Sequence, residues 1–143
     1  MHLTSLKIEN FRGFKQVFLD FDRTTVLIGE NNTGKTSVLD AMRLCLGRQL
    51  SRRSNPFEDH DYLLETEKSR PGDAGALAIT LEFSESRVGE WEVDLVQALG
   101  DVIAIRTTGA GDLRRITMRV TSTFNTSAGD FITDWDFLQR FRK

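Results

Sequence analysis

An α/β fold, a mixed sheet with an antiparallel sub-sheet and few helices, is predicted by three observations. The run Thr24-Thr25-Val26-Leu27-Ile28 is β-branched and apolar without alternation, the pattern of a strand covered on both faces. A glycine-containing loop and then a helical apolar period follow it directly. Several other segments alternate apolar and polar residues with period two, as half-buried strands do.

From the start, Leu6 and Ile8 alternate with Lys7 and Glu9, and Val17, Leu19 and Phe21 alternate with Phe18, Asp20 and Asp22. Asn10-Phe11-Arg12-Gly13-Phe14 lies between them as a turn, so a hairpin is expected. Val38, Leu39, Met42, Cys45 and Leu46 share a helical face from about Lys35 to Leu46, and Gly47 is a suitable stop. Residues 48–75 lack an apolar period and contain the turn sequence Arg70-Pro71-Gly72-Asp73, so a surface excursion is expected there. Leu77, Ile79, Leu81 and Phe83 predict a strand, and Val88, Trp91, Leu95 and Leu99 a short amphipathic helix. Residues 102–105 are a strand candidate, Gly109-Ala110-Gly111-Asp112 a hairpin loop, and 116–124 a half-exposed antiparallel strand. Trp135, Phe137, Leu138 and Phe141 put apolar groups on one side of a last segment that looks cut off at Lys143.

The chain has 143 residues, at most one domain, and the expectation is a single partial domain over residues 1–143. Hydrophobic residues at 39% and charged residues at 28% fit a folded chain rather than a disordered one. No stretch approaches the ~18 uncharged apolar residues of a membrane helix, the start carries no secretory signal, and the lone Cys45 excludes an internal disulfide. A cytoplasmic protein is expected. The formal charge of −2 conceals blocks: residues 1–56 carry +4, 57–101 carry −9 and 102–143 carry +3. Solvated faces explain such blocks most simply, and a positive flank around a polyanion site is the alternative.

Gly29-Glu30-Asn31-Asn32-Thr33-Gly34-Lys35-Thr36 matches G-x-x-x-x-G-K-[ST] at every fixed position. At average residue usage this coincides by chance about once in 10⁴ to 10⁵ starting positions. The chemistry needs these residue types. Gly29 and Gly34 allow the curl that turns several amides toward one phosphate. The amides of Asn32 through Thr36 are backed by the positive end of a helix dipole. Lys35 brings a point charge to the β/γ oxygens, and the Thr36 hydroxyl is a hard ligand for Mg²⁺. Ser37 adjoins it in the first helical turn, and Asn31 and Asn32 shape the loop and can reach phosphate or metal-bound water. The cofactors expected are ATP and Mg²⁺.

The run Leu6-Lys7-Ile8-Glu9-Asn10-Phe11-Arg12-Gly13-Phe14, the loop through Ser37 and the following Leu39-Asp40-Ala41 resemble the amino-terminal lobe of ABC-type ATPases, among them SMC-like, RecF-like and OLD-family (overcoming lysogenization defect) proteins. Gly29-Glu30-Asn31-Asn32-Thr33 looks most like OLD-family nucleases; RecF and SMC proteins usually carry glycine where Asn32 stands. The similarity covers about residues 3–48. It implies an ATP-dependent DNA endonuclease whose ATPase lobes dimerise on nucleotide, with DNA as the partner of the full-length protein and DNA repair or phage defence as its setting. It also implies that Arg12 approaches the nucleotide, although Arg12 reads equally well as a turn residue.

Neither four apolar residues followed by an acid, nor an ABC signature, nor the Glu and paired Asp of a Toprim nuclease lobe occurs in the chain. No catalytic residue is therefore expected here. The reading is half of an ATP site that binds but does not turn over ATP. A RecF/SMC-like repair ATPase fragment and a nucleotide-sensing interaction module without turnover are the rivals. Glu58-Asp59-His60-Asp61 reads as a solvated loop rather than a metal cluster, Cys45 as a buried small residue, and Trp91 and Trp135 as packing residues. Arg114, Arg115 and Arg119 read as a solvated face before they read as phosphate contacts.

Overall fold

A computed structural model describes residues 1–30, 34–47, 55–66 and 69–138. Strands β1 (His2–Phe11) and β2 (Phe14–Asp20) form the expected hairpin around Arg12 and Gly13. Helix α1 (Lys35–Leu46) has the expected bounds, with Gly34 before it and Gly47 closing it through a 2.7 Å bond from its N–H to the Arg43 carbonyl. Strand β3 (Leu77–Ser84), helix α2 (Val93–Ala98) and strands β4 (Ala104–Thr108), β5 (Gly111–Asn125) and β6 (Asp130–Leu138) follow. The sheet order is β2-β1-β3-β5-β4, and β6 also pairs with β5; every ladder is antiparallel.

Register explains the two faces. Ile8 stands opposite Val17 and Ile79, Ile79 opposite Val120, and Val120 opposite Trp135, so one apolar row crosses β2, β1, β3, β5 and β6. Helix α1 lays Val38, Ala41 and Cys45 on this face, all three buried, whereas Leu39 and Leu46, expected on it, are more than half exposed. The Trp135 indole N–H donates to the Cys45 carbonyl at 3.4 Å, tying β6 to the end of the helix. The neighbouring row, Lys7 opposite Thr80 and Thr80 opposite Arg119, lines the other face with polar groups.

Several expectations are corrected. Residues 24–28 are not a strand buried on both faces: they join no ladder, Val26 and Ile28 are 72% and 91% exposed, and only Leu27 packs against the core. A β-branched, apolar run without alternation encodes burial on two sides, and no described element covers Val26 and Ile28. The 48–75 excursion is not wholly a surface feature. Phe57, Asp61 and Tyr62 are buried, and Tyr62 bridges to Phe11. The Tyr62 hydroxyl meets Ser122 Oγ at 2.7 Å and accepts from Asn55 at 2.8 Å, while its ring stacks on Phe131 at 3.7 Å. Aromatic burial and a satisfied hydroxyl therefore hold a stretch that shows no period. Finally, the helix expected from Val88 starts only at Val93. Gly89 takes φ +73°, and the Trp91 N–H donates to the buried Glu85 carboxylate, so a tight turn uses up the first residues. The candidate strand 102–105 is shifted to Ala104–Thr108. Phe141 lies outside the described residues.

Cys45 is fully buried, as expected, and burial pushes its thiol from 9.0 up to about 12. A raised thiol pKa means that the folded chain holds a proton the unfolded chain releases. Its contribution to stability is thus complete below pH 9 and is lost as pH climbs toward 12. At pH 8 the native thiol should react with a disulfide reagent on the order of 10³ times more slowly than in urea, because thiolate is the reacting species. Equal rates in stopped-flow labelling would place Cys45 at the surface.

Candidate nucleotide site

The hairpin tip and the start of α1 meet. Gly34 sits at φ +87° and ψ 3°, a left-handed conformation that costs side-chain-bearing residues energy. A Cβ there would stand 2.4 and 2.8 Å from two ring carbons of Phe14, so only glycine lets the tip of the β1–β2 hairpin press on the loop. Among the described residues no side chain caps the helix, and no acid occupies its first turn. An acid there would complement the helix dipole internally; its absence leaves the positive end available to an outside anion.

Lys35 Nζ donates to the carbonyl of Gly29 at 2.5 Å and to that of Glu30. The ammonium is thereby held over the first turn of the loop from within. Such carbonyl bonds are exchangeable for phosphate oxygens, which are stronger acceptors. Thr36 is exposed and Ser37 partly buried in the first helical turn. Asn31, Asn32 and Thr33 lie outside the described residues. The geometry thus brings together Gly29, Gly34, Lys35, Thr36 and Ser37. The donor set fits a polyphosphate: one ammonium, an uncapped helix N-terminus, and a hydroxyl of the type that ligates Mg²⁺.

Arg12 is both a turn residue and part of this neighbourhood. It adopts φ +50°, unusual for a residue with a side chain. Its N–H donates to the Asp61 carbonyl at 2.7 Å, Nε donates to Asp61 Oδ1 at 2.9 Å, and Nη1 donates to Asp40 Oδ2 on α1 at 2.7 Å. Its guanidinium carbon lies 5.0 Å from the Phe11 ring centroid. Burial works against the charge, but the bonds to Asp61 and Asp40 outweigh it and leave the pKa raised. Asp61, set aside with its loop neighbours, is the residue the sequence reading missed. Among the described residues no group of three or more His, Cys, Asp or Glu side chains could hold a metal ion.

Arg114, Arg115 and Arg119 are not a bare cationic strip. Arg115 pairs with Glu82 at 3.1 Å, Arg119 with Glu9 at 3.5 Å, and Arg114 with the buried Glu85 at 3.2 Å. Nor does any described helix have the length and apolarity to cross a membrane.

An antiparallel sheet with helix α1 packed on it, the helix opening at Gly34-Lys35-Thr36, has the fold expected of the amino-terminal lobe of ABC-type phosphate-loop NTPases. The comparison with solved structures agrees on the fold. A structure reported under "Structural biochemistry of ATP-driven dimerization and DNA stimulated activation of SMC ATPases" superposes with a TM-score of 0.54, covering 95% of this chain and 70% of that one at 15% identity. The chain belongs to the family described as "Protein of unknown function (DUF2813)", whose model matches residues 1–141. It is 28% identical to the DNA replication and repair protein RecF of Rickettsia rickettsii (strain Sheila Smith) over 98% of this chain and 44% of that protein. It is 27% identical to the Retron Ec83 probable ATPase of Escherichia coli over 58% of this chain and 16% of that protein. The chain spans less than half the length of these relatives.

Replacing Gly34 with alanine should destabilise the fold by about 1–3 kcal/mol, from the positive φ and the contact with Phe14 together. In urea denaturation, adding Phe14→Ala should recover the steric part and leave the backbone part. Wild-type stability of Gly34→Ala alone would refute the contact.

Proposed function

We propose that this chain binds Mg²⁺-ATP as the amino-terminal portion of an ABC-type, DNA-associated ATPase, and more finely of an OLD-like ATP-dependent endonuclease. The observation that carries the reading is Lys35: its ammonium is held against the loop that precedes an uncapped helix. Lys35 supplies charge to the β/γ oxygens, the first-turn amides receive the phosphate, and Gly29 and Gly34 allow the approach. Asn31, Asn32 and Thr33 complete the loop, and Thr36, with Ser37 beside it, offers the oxygen ligand for Mg²⁺. Bound there, the ion supplies charge neutralisation along the polyphosphate. Arg12 adds a second cation from the hairpin tip.

The chain carries half of the site. No acidic residue follows a hydrophobic strand to activate water, so this portion binds without turnover. The exposed apolar edge at Val26 and Ile28 supports completion by another segment or chain. The OLD-like reading rests on Gly29-Glu30-Asn31-Asn32. The RecF-like repair reading is favoured by the alignment with RecF over nearly the whole chain. In either case the working unit is a cytoplasmic dimer formed through ATPase lobes on DNA.

Calorimetric titration with Mg²⁺-ATP tests the site. Wild type should bind without measurable hydrolysis, and Lys35→Ala should abolish binding while thermal unfolding stays unchanged. Unaltered affinity in Lys35→Ala removes the phosphate site, and brisk turnover by this chain overturns the half-site. For the parent protein, divalent-dependent nicking of plasmid DNA separates the OLD-like reading from the RecF-like one.

A further inference from the structure

Asp61 lies 49 residues from Arg12 in sequence, in a segment with no motif, yet grips it through main chain and side chain alike. Its side chain is 4% exposed. Oδ1 accepts from Arg12 Nε at 2.9 Å while Oδ2 accepts from the Glu58 N–H at 3.0 Å, so both oxygens are fixed. The Asp61 carbonyl accepts the N–H of Arg12, which holds the residue in its left-handed conformation. Asp40 receives Nη1 from the opposite side and is itself 3.6 Å from Arg43 Nε. Two aspartates therefore face Arg12 and Arg43, and His60 Nε2 also stands 3.6 Å from Asp61 Oδ1.

A guanidinium carries five N–H donors in one plane. Bonds from Nε and Nη1 fix that plane, and the rest of the fork stays directed by it. The Arg12 side chain keeps 24% of its surface open to solvent. The hairpin tip that bears it presses on Gly34 through Phe14.

We propose that Asp61 is a positioning residue for nucleotide binding: it holds the Arg12 guanidinium beside the phosphate loop so that its remaining N–H edge meets an anionic oxygen of the bound nucleotide. This rests on the nucleotide-site reading of Gly29 through Thr36. Asp61 touches no ligand and acts through Arg12 alone. The 55–63 segment becomes part of the site's support, and Asp40 ties the same guanidinium to the helix that follows the loop.

The test is a double-mutant cycle read in Mg²⁺-ATP affinity by calorimetry, with thermal unfolding measured in parallel. Asp61→Asn should weaken binding about tenfold, Arg12→Ala by a similar factor, and the double variant no more than Arg12→Ala alone. A merely structural Asp61 would lower the unfolding temperature in both backgrounds and leave the folded protein's affinity unchanged, which would overturn the proposal. Additive losses would overturn it too. Lys35→Ala is the control. If Lys35→Ala binds as wild type, the nucleotide-site reading fails and the proposal goes with it. If Lys35→Ala loses binding and Asp61→Asn does not, only the positioning role fails. Should Asp61→Asn not fold, Arg12→Lys decides. It keeps the charge but cannot bridge two carboxylates in one plane. A tenfold loss supports the proposal, and wild-type affinity overturns it.

Discussion

The burial of one narrow stripe of α1 against the sheet is the constraint from which the site follows. Val38, Ala41 and Cys45 are small enough to bring the helix close to β1 and β3, and all three are buried. Leu39 and Leu46, on the outer side, are more than half exposed. Because the stripe fixes the helix's rotation as well as its distance, Gly34 is delivered under Phe14 and Asp40 beside Arg12. A phosphate site built on backbone amides tolerates little misplacement, since amide donors cannot re-aim as side chains can. The apolar face thus sets the geometry of the polar one.

Charge is distributed by the same topology. The acidic block between residues 57 and 101 and the two basic blocks flanking it are joined across the sheet instead of forming separate faces. Asp61 meets Arg12, Glu82 meets Arg115, and Glu85 meets Arg114. Glu85 is the extreme case, with no exposed side-chain surface. Its burial alone would raise its pKa, yet bonds from the N–H groups of Arg114 and Trp91 and from the Arg114 guanidinium lower it below the ordinary carboxylate value. That carboxylate's stabilising contribution is therefore present above the unfolded value and is lost as pH falls through the folded one. Removing Arg114 would strand the buried Glu85 carboxylate without its charged partner, whereas Arg114, a third exposed, keeps access to water if Glu85 is removed. Neutralisation between blocks is a third outcome beside solvated faces and a polyanion flank, and composition alone does not separate the three.

What the sequence made legible was local. Helix α1 could be bounded because glycine stands at both ends and its buried residues recur at helical spacing. The β1–β2 hairpin and β3 were visible in alternation and turn residues, and the Gly29–Thr36 motif in four fixed positions. The contacts that organise the site were not visible, because they join residues 28 and 49 positions apart with no shared pattern. Asp61 read as one carboxylate in an acidic loop. The available signal was the aromatic pair around it: Phe57 and Tyr62 are poor surface residues in an otherwise polar stretch, and their burial carries Asp61 inward with them.

Residues 24–28 show the same limit from the other direction. Their pattern specifies a strand with both faces covered, and the pattern was read correctly as a demand for burial. In the structure Leu27 meets that demand on one side, while Val26 and Ile28 stay open to solvent. Apolar side chains left open to solvent outside any described ladder are a surface for further packing. Residues 24–28 join no ladder among the described residues, whereas α1 is packed on the sheet. Packing a partner strand beside residues 24–28 would immobilise Gly29 from the entry side as Phe14 immobilises Gly34 from the exit side. For the proposed nucleotide site, completing the sheet and placing the loop are one problem: what holds residues 24–28 also places Gly29.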